Sequence, residues 1–171
     1  MQEEIKNRVT ESKLITFDLE DFYPHGQRHF FDISQWLDQG IILREKDFRN
    51  YISKHNWSQY QDKYVALYCS TDAIIPDWAY MLIAVQLQNI ARLSVIGNLE
   101  HLESIIYSQI ISELDTSEYA DAPVIIKGCS NKPVPANALV LLSQKLKPVA
   151  KSIMYGEACS SVPLYKRKLR K

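Results

Sequence analysis

The chain has 171 residues, and its 20 basic side chains balance its 20 acidic ones, so the formal net charge is zero. This length fits one domain, and with 46% hydrophobic residues the chain can bury a sizeable core without disulfide or metal cross-links. No apolar run approaches the ~20 residues of a membrane span, and the amino-terminal sequence MQEEIKNR lacks the apolar stretch of a signal peptide. These features favour a single cytoplasmic domain over residues 1–171 and argue against a membrane protein.

The charge is spread unevenly, because five of the last six residues, 166–171, are basic. Without this basic tail the body carries 15 basic and 20 acidic residues. A basic tail can contact nucleic acid or an anionic partner, but a frayed, solvated terminus is the simpler interpretation. The body has no basic stripe with interleaved aromatic residues, so we do not predict nucleic-acid binding.

The first 63 residues predict two strands and a helix. The segments KLITFDL (13–19) and RHFFDIS (28–34) have strand-like composition, and REKDFRNYISKH (44–55) has the apolar spacing of a helix. No linker-like composition follows this segment. We therefore interpret residues 1–63 as additional strands and a helix that join the main sheet.

From residue 64 onward strands and helices alternate. Proline stands at the first position of two of the helices, where its missing N–H does no harm, and Asn98 can cap the helix between them. The first helix is apolar nearly all round, which predicts burial on more than one side. Strands are predicted at 64–68, 92–97, 123–128 and 152–156, and helices at 76–91, 99–114 and 135–146. This alternation predicts an α/β fold with a mostly parallel open sheet and helices on both faces.

Three of the predicted strands end in the same dipeptide. The pairs are Cys69-Ser70, Cys129-Ser130 and Cys159-Ser160, and they contain all three cysteines of the chain. A proline follows each pair within seven residues. The similarity is either a local structural repeat or a coincidence, because the three segments do not match outside these pairs.

The three cysteines could share a metal ion if their strands are neighbours. The carboxyl ends of parallel strands form the ligand crevice of an open sheet, where neighbouring strands lie about 4.8 Å apart. Thiolates on one zinc ion sit about 3.8 Å apart. The strand order 92–97, 64–69, 123–128, 152–156 would make the cysteine strands contiguous. We therefore predict a zinc or iron–sulfur site at Cys69, Cys129 and Cys159.

Other residues at the same edge could complete this site. His101, in the first turn of the helix after Gly97, is a candidate fourth ligand, and Gly128 and Gly156 allow the backbone to approach a ligand closely. The serines that follow the cysteines could donate hydrogen bonds to sulfur or to a bound anion: Ser70, Ser130 and Ser160.

Two other classes of function compete with a metal site. Free cysteines usually pack as small hydrophobes, in which case the protein is a non-catalytic interaction protein that uses its aromatic surface and basic tail, with self-association as one option. Alternatively, Cys159 alone could serve as the reactive thiol of an enzyme. The substrate and the partner are not identified by the sequence.

An acidic patch near the amino terminus is a rival site. Its carboxylates could bind a hard cation or perform acid–base chemistry with nearby histidines, although such groups more often form a solvated face. The patch consists of Asp18, Glu20, Asp21 and Asp32, with His25 and His29. The chain has no GxGxxG, GxxxxGK[ST], GxSxG or HExxH motif, so no nucleotide cofactor is predicted.

Several stretches resemble a small bacterial family, the domain of unknown function numbered twenty-four eighty. They are LITFDLEDFYP, ILREKDFR, DWAYMLIA, IIKGCSNKPVP and VAKSIMYGEACSSVPLYKRK. The likeness runs over nearly the whole chain, and the last stretch is the most specific. The family has no assigned activity, so the resemblance implies a single compact domain and no catalytic residues.

Overall fold

The computed structural model describes residues 14–127 and 131–168, and its helices and strands confirm an α/β fold. The helices are α1 (Glu45–Lys54), α2 (Asp77–Leu87), α3 (Leu99–Glu113) and α4 (Ala136–Leu146). The strands are β1 (Ile15–Asp18), β2 (Arg28–Asp32), β3 (Tyr64–Tyr68), β4 (Leu93–Ile96), β5 (Pro123–Lys127), β6 (Ser152–Tyr155) and β7 (Val162–Lys166). Each predicted helix and strand is present with bounds that differ by a few residues, and β7 is an element that the sequence did not predict.

The described strands form two sheets. One has the order β1-β5-β6-β7 and the other the order β2-β3-β4. All neighbours are parallel except β6 and β7, which are antiparallel. The mostly parallel pairing is confirmed, but the strand order required by the metal hypothesis is wrong, because β3 and β5 do not pair. All the buried strands have similar apolar composition, so composition does not specify which strand pairs with which.

The chain divides into two compact units. Residues 24–102 form one, called here the inserted unit, and residues 1–23 together with 103–171 form the other, called the flanking unit. Each has its own hydrophobic core. The core of the inserted unit includes Phe31, Ile33, Phe48, Val65, Leu67, Ala79, Ile83 and Leu87. The core of the flanking unit includes Phe17, Leu19, Tyr107, Val124, Ile126, Ala138, Leu142 and Leu146.

The two units repeat one structural pattern at a constant spacing of 59 residues, so that residues 58–97 correspond to 117–156. The buried residues Ala79, Ile83 and Leu87 of α2 correspond to Ala138, Leu142 and Leu146 of α4. Asp62 and Asp121 correspond, and both have positive φ, at 58° and 55°. The elements around β3 and β5 thus match in structure, whereas the third cysteine strand, β6, corresponds to β4.

Backbone hydrogen bonds repeat with the same spacing. The Asp62 N–H donates to the Ile90 carbonyl at 2.9 Å, and the Asp121 N–H to the Val149 carbonyl at 3.0 Å. Other pairs of corresponding bonds link Arg92 to Lys63 and Lys151 to Ala122, and Gly97 to Leu67 and Gly156 to Ile126. In this register Cys69 corresponds to Gly128 and Ser70 to Cys129. In the sequence, the first two Cys-Ser pairs are therefore displaced by one residue from the 59-residue spacing, and the third pair has no Cys-Ser counterpart.

The repeat extends to the first strand and the first helix of each unit. The buried residues Phe48 and Ile52 of α1 correspond to Tyr107 and Ile111 of α3. The sequence FDIS after β2 corresponds to FDLE after β1, and in each case the aspartate accepts the backbone N–H two residues later. Each unit is thus built as strand, helix, strand, helix, strand, and the inserted unit interrupts the flanking unit after its first strand.

The helix α2 differs from its prediction. It buries Ala79, Ile83 and Leu87 on one stripe, but Met81 is 66% exposed and Val85 is 63% exposed. Trp78, Tyr80 and Leu82 beside this stripe are partly buried against the core, so the burial of α2 extends beyond one stripe but not all round. Within the described residues, no helix has the length and apolarity needed to cross a membrane.

Candidate functional site

Asp32 organises the carboxyl ends of β2 and β3. Its carboxylate accepts the backbone N–H groups of Ser34 and Ser70, each at 3.0 Å, and the two serine hydroxyls lie 2.9 Å apart. Partial burial works to raise the pKa of Asp32, but the hydrogen bonds from Ser70 and Ser34 outweigh it and lower that pKa. Asp32 therefore ties the loop after β3 to the turn after β2.

Cys69 packs within the same loop. Its side chain is half-buried, and its Sγ lies 3.3 Å from Thr71 Oγ1. The Thr71 hydroxyl donates to the Gly40 carbonyl at 2.7 Å, so the thiol is the donor toward Thr71. Within the described chain, the contacts of Cys69 and Ser70 stabilise the loop that follows β3.

His101 lies where the sequence places it, in the first turn of α3. Its backbone N–H donates to Asn98 Oδ1 at 2.8 Å, which confirms Asn98 as a helix cap. Gly97 has a φ of 139°, and a Cβ built there would lie 3.1 Å from the His101 Cβ. The glycine is therefore needed for chain direction and for the close approach of His101.

The other predicted ligands belong to the flanking unit. Cys159 is exposed, with its Sγ 4.0 Å from Ser160 Oγ. Gly128, Cys129 and Ser130 lie outside the described residues. Across residues 14–127 and 131–168, no group of three or more His, Cys, Asp or Glu side chains is arranged to hold a metal ion. The proposed three-cysteine site includes Cys129, so it stays a prediction.

The acidic patch is divided between the two units. Asp18, Glu20 and Asp21 belong to the flanking unit, whereas Asp32 and both histidines belong to the inserted unit. Asp18 accepts the Glu20 N–H at 3.0 Å, and the Glu20 carboxylate accepts the Asn131 N–H at 2.9 Å. These carboxylates stabilise turns at the ends of strands.

An aromatic cluster around His55 was missed by the sequence interpretation. The His55 ring contacts Phe31, Trp36, Trp57 and Tyr60, and its Nε2 lies 2.9 Å from the Tyr60 hydroxyl. Burial lowers the pKa of His55 and raises the pKa of Tyr60 to about 12. The aromatic residues that follow α1 in the sequence could have revealed this cluster. In the structure they contribute to the core of the inserted unit.

The strand β4 has an open edge. It pairs with β3 on one side, and no described strand pairs with its other side. Its counterpart in the repeat, β6, is covered on that side by β7, with Ile153 opposite Tyr165. The Arg167 N–H also donates to the Lys151 carbonyl at 2.9 Å. In the part of the chain that the structure describes, the inserted unit therefore presents the same sheet edge without the strand that covers it in the flanking unit.

An open groove of about 520 Å³ runs between the end of α2 and the start of β4. Val85, Gln88, Leu93 and Ser94 are among the residues that line it. In the flanking unit the counterpart of Asn89 in this groove is Pro148, and the side chain of Arg167, the residue after β7, donates to the Pro148 carbonyl at 3.4 Å and to the Val149 carbonyl at 2.8 Å. The groove thus lies beside the edge that β7 and Arg167 cover in the flanking unit.

The open edge is flanked by exposed apolar side chains. Ile96 in β4 is 54% exposed, and Met81 and Val85 project from α2. Edge strands are usually protected by their short length, by charged residues or by proline. Within β7, Pro163 and Lys166 are residues of this kind, whereas β4 is a strand of four residues with the sequence LSVI, preceded by Arg92, which also lines the groove. The four residues of β4 thus include neither a charge nor a proline that would oppose strand pairing.

The family described as protein of unknown function (DUF2480) matches residues 3–167. The chain belongs to the DUF2480 family. The resemblance stated from the sequence is therefore confirmed. No curated protein and no solved structure matches the chain. In this DUF2480 protein, the open edge of β4 is the feature that indicates a function.

Proposed function

We propose that this DUF2480 protein is a non-catalytic interaction protein that binds an extended segment of a partner chain along the open edge of β4. The observation that carries this proposal is the internal repeat, in which β6 is covered by β7, while no strand among residues 14–127 and 131–168 covers its counterpart β4. In strand addition, main-chain hydrogen bonds supply affinity and alternate side chains supply specificity. The flanking unit uses this arrangement with a strand of its own chain.

The side chains beside the edge support the same function. Val85 lines the groove next to β4 and is largely exposed, whereas its counterpart in α4 is Gln144. If a partner removes the surface of an apolar side chain at this position from water, the complex is stabilised by about 25 cal/mol per Å² of buried apolar surface. The unit with the uncovered edge is thus also the unit with the apolar helix face beside it.

The polar residues at the strand ends are also compatible with a non-catalytic interaction protein. Asp32, Ser34, Ser70 and Thr71 hydrogen-bond to one another or to the nearby backbone. The metal hypothesis rests on Cys69, Cys129 and Cys159 and is tested independently. Metal analysis of protein purified without oxygen, compared with the triple Cys→Ser variant, should show bound zinc or iron only in the former if that hypothesis is correct.

Site-specific photo-cross-linking tests the interaction function. A photoreactive phenylalanine analogue at Ile96 should form an adduct in an extract of the source organism, and mass spectrometry should map the adduct to one segment of the partner. The same analogue at Val140, the exposed counterpart of Met81 in α4, serves as the matched control. Val85→Lys should abolish the Ile96 adduct by placing a charge in the groove. Equal labelling from positions 96 and 140, or no adduct at 96, would contradict the proposal.

A further inference from the structure

We infer that the strand bound at this edge is β4 of a second copy of the chain, paired antiparallel across a twofold axis that passes at Ser94. This inference rests on the proposed function and names the partner of the same edge. Closed twofold dimers are the commonest oligomers of soluble proteins. The product is a continuous six-stranded sheet made from two three-stranded sheets.

The position of the axis is taken from the repeat. In the flanking unit, β6 pairs antiparallel with β7 at each residue from Ser152 to Tyr155, with Ile153 opposite Tyr165 and a register shift between Ile153 and Met154. The counterpart of Ile153 in β4 is Ser94, and we place the twofold axis there. This axis places Ser94 opposite Ser94 of the second copy. The ladder across β4 is then regular, without the register shift that β6 and β7 have.

The sequence of β4 is complementary to itself in this register. Arg92 of each copy lies opposite Ile96 of the other, and Leu93 lies opposite Val95. Like charges directly opposite each other destabilise a sheet, and no such pair forms here. The Arg92 guanidinium already donates to the His25 carbonyl at 2.6 Å and lies 5.9 Å from the centre of the Tyr64 ring. Arg92 also lines the groove, and the uncharged strand β4 adds no second positive charge opposite it.

The exposed face of α2 strengthens the dimer. Met81 and Val85 are one helical turn apart and lie on the same side of α2, and Val85 lines the groove beside β4. Twofold symmetry brings the same apolar surface from both copies to one interface. The interface thus combines backbone hydrogen bonds between the strands with burial of apolar side chains from α2. A strand edge alone would provide only the hydrogen bonds.

Cysteine cross-linking tests the register. Ser94→Cys is made in a background where Cys69, Cys129 and Cys159 are replaced by serine. Only a residue on the twofold axis faces itself, at a Cα separation of about 5.5 Å, which a disulfide accepts. We expect Ser94→Cys to form a cross-linked dimer at least about ten times faster than Leu93→Cys or Val95→Cys, and Val140→Cys to form none. Equal rates at positions 93, 94 and 95 would overturn the register.

Sedimentation equilibrium of the unmodified chain tests the dimer itself. At about 0.1 mM protein, a hundred times the Kd of a micromolar dimer, we expect the wild type to be dimeric. Ile96→Lys and Val85→Lys should each raise the dimer Kd at least about tenfold, and Val140→Lys should leave it unchanged. A monomeric wild type overturns the inference. If such a monomer still forms Ile96 photo-adducts with another protein, the proposed function survives alone, and if it forms none, both fail.

Discussion

His55 illustrates how a single half-buried side chain couples the fold to pH. Burial among aromatic rings lowers its pKa, because the charged imidazolium loses hydration there. Burial and the nearby charge of Lys63 likewise lower the pKa of His29. Both histidines therefore bind protons more readily when the chain is unfolded, with an unfolded pKa of about 6.5. Their contribution to stability is present above that pH and is lost as the pH falls below it.

We predict a lower free energy of unfolding at about pH 5.5 than at about pH 7.5, on either side of the ordinary histidine pKa. Urea unfolding at the two pH values measures the difference. His55→Gln should reduce the difference, because the titrating group is removed, and the exposed His101→Gln should retain it. An equal free energy of unfolding of the wild type at both pH values would contradict this prediction, because it would show that the two histidines do not make stability depend on pH.

The residues chosen from the sequence and those that form the proposed interface are different sets for a physical reason. Cys69, Ser70 and His101 attract attention because their side chains can bind ligands or react, and the described chain uses them in loops and caps. Ser94 and Val85 have no such chemistry. Their importance comes from one side of β4, which pairs with no strand among the described residues. The sequence of β4 does not indicate which strands surround it.

At the scale of elements, the aspartates after β1 and β2 perform the same role to different extents. Asp18 accepts one backbone N–H, from Glu20. Asp32 accepts two, from Ser34 and from Ser70 in the loop after β3. The additional hydrogen bond of Asp32 links the ends of the neighbouring strands β2 and β3. Variants of Asp32 and Asp18 can therefore be compared as a matched pair within one chain.

We predict that Asp32→Ala lowers the free energy of unfolding by about 1–2 kcal/mol, because a cap and a loop hydrogen bond are both lost. Asp18→Ala should cost less, since only the turn is affected. Asp32→Asn should fall between the wild type and Asp32→Ala, because its amide oxygen can still accept both N–H groups but lacks the negative charge that strengthens these hydrogen bonds. Urea denaturation of the variants measures the order, and a larger effect at Asp18 would contradict the assigned roles.

The sequence predicted elements well where periodicity and caps are local signals. The prolines before α2 and α4, the cap at Asn98 and the apolar strands between them define their elements within a few residues. The strand β7 was not predicted, because Pro163 weakens a strand assignment and the basic residues after it suggest a tail. Its strand conformation depends on pairing with β6, which is not a local property.

At the scale of the whole molecule, strand pairing was the part that the sequence could not supply. The partners of β5 are β1, more than a hundred residues earlier in the chain, and β6. The intervening residues form the inserted unit with its own sheet. The 59-residue repeat could have revealed this arrangement, but few identical residues mark it. Corresponding burial and hydrogen bonds are conserved between the units, whereas side-chain identity is not.

The helix α3 links the stability of the two units through the chain itself. It runs without interruption from Leu99 to Glu113, while the boundary between the units falls after Leu102. Unfolding either unit therefore removes support from a helix that also belongs to the other. We predict one cooperative unfolding transition for the single domain expected from the sequence, with equal calorimetric and van't Hoff enthalpies.

Differential scanning calorimetry of the wild type and of Ser104→Pro tests this coupling. Proline inside a helix removes a backbone hydrogen bond and costs about 3 kcal/mol or more, so Ser104→Pro interrupts α3 next to the boundary. We expect its unfolding to become broader or to separate into two transitions, because the units then lose their shared helix. Ser112→Pro, close to the carboxyl end of α3 and remote from the boundary, is the control and should keep one transition at a lower temperature. Two transitions in the wild type would show instead that the units unfold independently and that α3 does not couple them.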